Sequence, residues 1–177
     1  MKQAKQKAIF LDRDGVVNEE IGYLHKIQDF KFIDGIFKAC NYFQSKGFLI
    51  IIITNQSGIA RGYYKEDDFK ILNNWMNNQF KNQGVNIIDT FFCPHAPNDL
   101  CNCRKPKPGL ILDAILKYNI DKTQSWLIGD KETDIKAANL AGISNTVLVK
   151  TGHKIDENKT NAKYILKSIA ESIQIFE

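Results

Sequence analysis

"FLIIIIT", residues 48–54, decides the architecture. The run from Ile50 to Ile53 leaves no polar position for a wet face, so the strand is covered on both sides, as in a parallel sheet. The neighbouring segments agree. "DGIFKACNYFQSK" (34–46) carries Ile36, Phe37, Cys40 and Phe43 at helical spacing, and Gly47 is a natural residue just past a helix end. Cys40 lies on that apolar stripe and reads as a small core residue. Beyond the strand, residues 65–83 predict a helix burying Phe69, Leu72, Met76 and Phe80, and residues 87–92 a third strand.

Outward from this centre the alternation continues. "KAIFL" (7–11) is a first strand; a helix over 109–118 precedes the strand "SWLIGD" (125–130). A helix ending at Ala141, the strand "TVLVK" (146–150) and a last helix over 162–173 complete the chain. Such alternation predicts an α/β fold, a Rossmann-like three-layer α/β/α sandwich around a central parallel sheet. One domain over residues 1–177 suffices, and no segment is long enough for a large cap domain.

Composition narrows the function. With 44% hydrophobic and 25% charged residues the chain is of ordinary globular type, and its net charge of +4 suits an anionic small molecule. No run of five or six like charges and no basic face argues for nucleic acid, and no apolar run reaches membrane-spanning length. The basic start, Met1 to Lys7, is followed by only four apolar residues before Asp12, too few for a signal peptide. A cytoplasmic monomer acting on a small phosphorylated substrate is therefore expected. In the cytoplasm thiols stay reduced, so the clustered cysteines favour a metal over disulfides.

In parallel sheets of this kind ligands bind at the carboxyl ends of the strands, near the point where strand order reverses. The polar residues collect there: Asp12 and Asp14 after the first strand, Thr54 after the second, Lys105 in the loop after the third, Asp130 after the fourth. "DRDGVVNEE" could open a calcium loop, but the fifth and twelfth positions from Asp12 are Val16 and Tyr23, and a strand precedes the loop. Two carboxylates flanking one residue can instead divide labour. One attacks phosphorus, and the other protonates the leaving alcohol and then activates water. A carboxylate approaches a phosphate dianion only where cations neutralise the charge, which gives Lys105 and a divalent ion their place. Mg²⁺ suits such an all-oxygen site, with Asp130 as a further ligand.

Together these pieces resemble the haloacid dehalogenase superfamily of phosphatases, whose motifs are DxDG, a strand-terminal Thr or Ser, a Lys, and GDxxxD. More closely, "FLDRDGVVN", "GYLH", "FIDG", "TNQSGIARG", "CPH", "CRKPKPG" and "IGDK" resemble the D-glycero-D-manno-heptose 1,7-bisphosphate 7-phosphatases. The resemblance runs from Ala8 to Gly152. It implies Asp12 as nucleophile and Mg²⁺ ligand, Asp14 as acid/base and a ligand through its backbone carbonyl, and Asp130 as the last protein ligand. It further implies Thr54 and Lys105 on the phosphoryl group, with substrate contacts from Glu20, Ile21, Gly22, Tyr23, Asn55, Gln56, Ser57, Arg104 and Lys131. Asp134 matches the second acid of the last motif and is given a supporting place. The implied reaction is removal of the 7-phosphate during synthesis of nucleotide-activated heptose for bacterial surface polysaccharide.

Cys93, His95, Cys101 and Cys103 form C-x-H-x5-C-x-C, a Cys3His set suited to tetrahedral zinc. Four protein ligands leave no open position, so this Zn²⁺ is expected to be structural. It would fix the loop over about 93–108 and aim Arg104 and Lys105 at the strand ends. The five-residue spacer between His95 and Cys101 resembles the histidinol-phosphatase loop, whereas "SGIARG" and "KPG" look heptose-like. Val16 stands where Thr is commoner. Histidinol-phosphate hydrolysis is thus the nearest alternative, and a nucleic-acid-binding zinc module is a distant one that leaves the three aspartates without a task. His25 lies in a polar loop within reach of a substrate, and His153, after the last strand, is expected to be solvated.

Overall fold

The computed structural model describes residues 4–176, so Met1 to Gln3 of the basic start lie outside the described residues. Six strands, β1 (Lys7–Leu11), β2 (Phe48–Asn55), β3 (Ile87–Cys93), β4 (Trp126–Gly129), β5 (Asn145–Val149) and β6 (Tyr164–Leu166), form one sheet in the order β3-β2-β1-β4-β5-β6. Every neighbouring pair is parallel. Helices α1 (Ile36–Ser45), α2 (Glu66–Asn82), α3 (Gly109–Lys117) and α4 (Glu132–Ala141) fill four of the crossovers.

Side-chain alternation along the strands splits the core into two layers. Ile9, Leu11, Ile50 and Ile52 pack with Ile36, Cys40 and Phe43 of α1 and with Leu72, Met76 and Phe80 of α2. Ala8, Phe10, Ile51 and Ile53 pack with Leu110, Ile111 and Ala114 of α3 and Ile135 and Ala138 of α4. The isoleucine run of β2 thus feeds both layers, as a strand without a wet face must. Cys40 is fully buried, and burial pushes its thiol far up, out of reach of chemistry at neutral pH. Among the described residues no helix is long and apolar enough to cross a membrane.

The C-terminus departs from the expected helix over 162–173. Tyr164–Leu166 instead adds an edge strand beside β5, with Leu148 opposite Ile165, and a 3-10 turn covers Ile169–Ile175. Tertiary pairing decides here: β5 offers a free edge, and Ile169 is fully buried in the α1–α2 layer. The crossover from β5 to β6 contains no helix. It passes over the carboxyl end of the sheet and brings His153 to Asp130.

Candidate active site

The strand order reverses at β1, whose neighbours are β2 and β4, so the crevice opens between the ends of β1 and β4. Asp12 follows β1 directly, and its N–H donates to the Ile128 carbonyl of β4 at 3.0 Å. Its Oδ1 accepts from the Arg13 N–H and faces Lys105 Nζ, both at 2.8 Å, which leaves Oδ2 for a reacting atom. Burial, then the nearby charges of Asp134 and Asp130, hold the Asp12 carboxyl well above the ordinary carboxylate range, with Lys105 opposing them.

Lys105 arrives from the loop after β3, with its side chain almost wholly buried. Its ammonium touches Asp12 at 2.8 Å and Asp134 at 2.6 Å, and donates to the Ile53 carbonyl at 3.0 Å. Burial by itself would lower its pKa, but the two carboxylates outweigh burial and raise it, so the ammonium stays protonated. Asp134 also accepts from the Lys131 N–H at the start of α4. It therefore braces the lysine and the helix end at once.

Asp130 is fully buried between two glycines. A Cβ at Gly15 or at Gly152 would run into its carboxylate, so both positions keep room for the acid. His153 donates its backbone N–H to Asp130 Oδ2 at 2.9 Å and places Nδ1 2.6 Å from the same oxygen. His153 is solvated as expected, its side chain 42% exposed, but the crossover also folds it onto the acid and into the cavity wall.

Asp14 is held differently. Oδ1 accepts from Arg13 Nη2 at 2.9 Å and from Asn18 Nδ2 at 3.0 Å, and Oδ2 accepts from Gln56 Nε2 at 3.2 Å. Gln56 Nε2 also donates to the Thr54 hydroxyl at 2.8 Å, and its Oε1 accepts from the Tyr64 hydroxyl at 2.6 Å. Burial pushes the Tyr64 phenol up to about 12, so it stays a donor. With its lone pair taken by Gln56, the Thr54 hydroxyl is free to donate to a phosphoryl oxygen.

These side chains line a cavity of about 430 Å³. Asp12, Asp14, Thr54 and Lys105 form its floor, and Glu20, Gly22, Tyr23, Gln56, Ser57, Arg104 and Lys131 line its walls. Ile21 does not join them; its side chain is 53% exposed at the tip of the same loop. Asn55 borders the cavity, but its amide is bound to the Lys105 backbone. His25 stays out of the lining and stacks on Tyr64, ring centres 4.9 Å apart. Residues missed in the sequence are Arg61, Tyr64, Pro97 and Thr133 on the walls and the buried Arg13. Arg13 had a signal, a lone cation between two acids, but the motif treats it as a spacer.

Two ligand sets fit metals by their own chemistry. Oxygens of Asp12, Asp130 and Asp134 lie within 4.8 Å of one another, and Asp130 Oδ1 is buried with no hydrogen-bond partner among the described residues. An orphaned anionic oxygen beside other carboxylates suits a hard divalent cation. The Asp14 carboxylate, engaged by Arg13, is not part of this group. At the end of β3 and in the loop after it, Cys93 Sγ lies 3.8 Å from Cys101 Sγ and 3.1 Å from Cys103 Sγ, and His95 Nδ1 is 3.2 Å from Cys103 Sγ. Four ligands at zinc bond lengths stand about 3.8 Å apart in a tetrahedron, close to this packing. Burial, with Cys103 beside it, pushes the Cys93 thiol up to about 12, so a thiolate there needs a cation to balance it.

A family model described as HAD-hyrolase-like matches residues 102–172. The chain is 47% identical over 173 residues to the D-glycero-beta-D-manno-heptose-1,7-bisphosphate 7-phosphatase of Pasteurella multocida, covering 94% of both chains. It is 48% identical over 169 residues to the D-glycero-alpha-D-manno-heptose-1,7-bisphosphate 7-phosphatase of Photorhabdus laumondii, covering 92% of both. Among solved structures, the D,D-heptose 1,7-bisphosphate phosphatase of B. bronchiseptica, complexed with magnesium and phosphate, superposes with a TM-score of 0.84 at 29% identity, covering 97% of this chain and 98% of that one. These relatives carry the heptose bisphosphate name, and the histidinol-phosphate alternative loses its footing. By sequence identity over nearly its whole length and by the constellation at its strand ends, the chain belongs to the heptose-1,7-bisphosphate 7-phosphatase family of the haloacid dehalogenase-like hydrolases.

Proposed function

We propose that this chain is a Mg²⁺-dependent phosphatase that removes the 7-phosphate of D-glycero-D-manno-heptose 1,7-bisphosphate through an aspartyl-phosphate on Asp12. The observation that carries this reading is one cavity with a buried nucleophile-grade carboxylate, Asp12, against Lys105 Nζ at 2.8 Å, under a rim bearing Arg61, Arg104 and Lys131. Such a rim favours a doubly anionic sugar over a neutral one.

The chemistry divides between the two aspartates. Asp12 Oδ2 attacks phosphorus, the bond to the C7 oxygen breaks, and the Asp14 carboxylic acid gives that oxygen its proton. Asp14, now a carboxylate, takes a proton from water as the water attacks the phosphorus of the aspartyl-phosphate. Inorganic phosphate leaves, and Asp12 is restored. Lys105 and the Thr54 hydroxyl steady the phosphoryl oxygens, where charge gathers in each transition state. Asp12 and Asp130, with the Asp14 backbone carbonyl, would hold Mg²⁺, which when bound neutralises phosphate charge and polarises phosphorus. Asp134 braces Lys105. Glu20, Gly22, Tyr23, Ser57, Arg104 and Lys131 border the sugar and its second phosphate, while Gln56 and Asn55 act by orienting Thr54, Asp14 and Lys105. Zn²⁺ on Cys93, His95, Cys101 and Cys103 would hold the Arg104–Lys105 turn, with no part in the chemistry.

The test compares kcat/KM for the alpha and beta heptose bisphosphates and for histidinol phosphate. Turnover of either heptose anomer at least about tenfold better than histidinol phosphate, a difference of about 1.4 kcal/mol, supports the reading. The reverse order overturns it. Relatives of nearly equal identity are named for opposite anomers, so the same measurement assigns the anomer.

A further inference from the structure

The Asp14 carboxylate accepts from Arg13, Asn18 and Gln56, and Arg13 and Gln56 act as two arms tied to the loop that lines one side of the cavity. Arg13 is the first arm. Its guanidinium, 1% exposed, donates through Nε at 3.2 Å and Nη2 at 2.9 Å to Asp14 Oδ1. The same Nη2 donates to the Leu24 carbonyl at 3.0 Å. Leu24 follows Glu20, Gly22 and Tyr23, which line the cavity. Gln56 is the second arm: its amide is locked by Tyr64, and the Tyr64 ring carries the stacked His25 of the same loop.

Burying a guanidinium is costly unless its donors are met, and here one planar fork spans a carboxylate and a loop carbonyl. A phosphoryl-binding role does not account for this placement. The group is 1% exposed and committed to Asp14 and Leu24, whereas Lys105 and Arg104 already offer cations to the cavity. Its remaining nitrogen, Nη1, is buried with no hydrogen-bond partner among the described residues, and the guanidinium carbon lies 5.8 Å from the Phe69 ring, so packing fixes its plane.

We propose that Arg13 is a positioning residue that ties the loop over residues 20–24 to the Asp14 carboxylate, so that a sugar settled against the loop sets the acid/base for proton transfer. The inference rests on the phosphatase reading above. It predicts that discrimination against phosphates lacking the sugar is expressed in kcat rather than KM, because the loop acts on the proton transfer.

The test uses zinc- and magnesium-replete protein under single-turnover conditions with heptose bisphosphate and with p-nitrophenyl phosphate. The second substrate has no sugar, and its leaving group departs without a proton. Arg13→Met should slow release of the heptose product on the order of 10²-fold while p-nitrophenolate release changes less than about threefold, the pattern of a lost general acid. Arg13→Lys, which reaches only one of the two acceptors, should fall between. Adding Asp14→Asn to Arg13→Met should cost little more, since the two act as one unit. Equal slowing of both substrates, or full additivity with Asp14→Asn, overturns the inference. If Arg13→Met does not fold, judged by thermal melting, the same comparison in Arg13→Lys decides. Failure of the wild-type protein to turn over heptose bisphosphate would instead sink the phosphatase reading.

Discussion

Asn55 and Lys105, 50 residues apart in sequence, are joined by two hydrogen bonds: the Lys105 N–H donates to Asn55 Oδ1 at 3.1 Å, and Asn55 Nδ2 donates to the Lys105 carbonyl at 3.2 Å. The end of β2 thereby grips the backbone of the residue whose ammonium reaches Asp12. Asn55→Ala removes both bonds and leaves the cysteine set untouched. Displacement of Lys105 by about 1 Å should lower kcat/KM roughly 10²-fold. Stability should fall by about 1–3 kcal/mol for two hydrogen bonds lost. Steady-state kinetics beside a thermal melt measures both; unchanged kcat/KM would show that Asn55 does not place the lysine.

Asp12→Asn should abolish turnover, because an amide does not attack phosphorus, and yet stabilise the cation-free protein. Burial and the neighbouring acids raise the Asp12 pKa in the folded state. A carboxyl so raised favours folding below its unfolded pKa and loses that contribution as pH rises through its folded value. At neutral pH the carboxyl therefore weighs against the fold, and asparagine relieves it. Each kcal/mol recovered should lift Tm by about 2–4 °C. The gain should be seen at pH 7.5 with EDTA, shrink as pH falls through the raised pKa, and shrink on adding Mg²⁺ to the wild type. A lower Tm for the variant at pH 7.5 would refute it.

Gly152→Ala tests the Asp130 pocket, where a methyl group would press on the carboxylate. Disturbing what orients a metal ligand typically costs about 10–100-fold in affinity. The Mg²⁺ concentration giving half-maximal activity should rise by that factor, with much of kcat recovered at saturation. A Mg²⁺ titration that overlays the wild type would remove Gly152 from this role.

Elemental analysis should find one equivalent of zinc per chain, and mild EDTA treatment that strips only the oxygen site should be reversed by Mg²⁺. Cys101→Ser should lose zinc and depress kcat and raise KM, with the far-UV spectrum unchanged. Cys93→Ser should cost more stability than Cys101→Ser, since Cys93 ends β3 and is fully buried in the α3–α4 layer. Zinc-free protein with normal kinetics would show that the loop needs no metal to aim Lys105.

Five of the six strands were legible because each is a local signal: Ile50 to Ile53 have no polar alternative, and between strands Phe69, Leu72, Met76 and Phe80 keep a helical beat. What the chain could not announce were contacts made by distant segments. Tyr164–Leu166 becomes a strand because β5 presents an edge, not because of its own composition. His153 reads as a loop residue until the helix-free crossover folds it onto Asp130. Ile21 sits within a matching motif, yet the turn through Gly22 and Tyr23, both at positive φ, leaves it pointing to water. Motif matching placed Asp12, Asp14, Thr54 and Lys105 at one cavity and gave Asn55 a substrate contact, where its amide instead holds the Lys105 backbone; it passed over Arg13 and Tyr64, which hold Asp14 and Gln56.

Strand order also bears on biosynthesis. β1 pairs with β2, made soon after it, and with β4, which ends only at Gly129. At roughly 5–20 residues per second, a ribosome takes on the order of ten seconds to pass from one to the other. Through that interval the nascent chain carries a half-paired apolar edge, the kind of surface that recruits chaperones or neighbouring chains. Asp12 and Asp130 meet only when the edge closes, so a truncated product cannot be a partly active one.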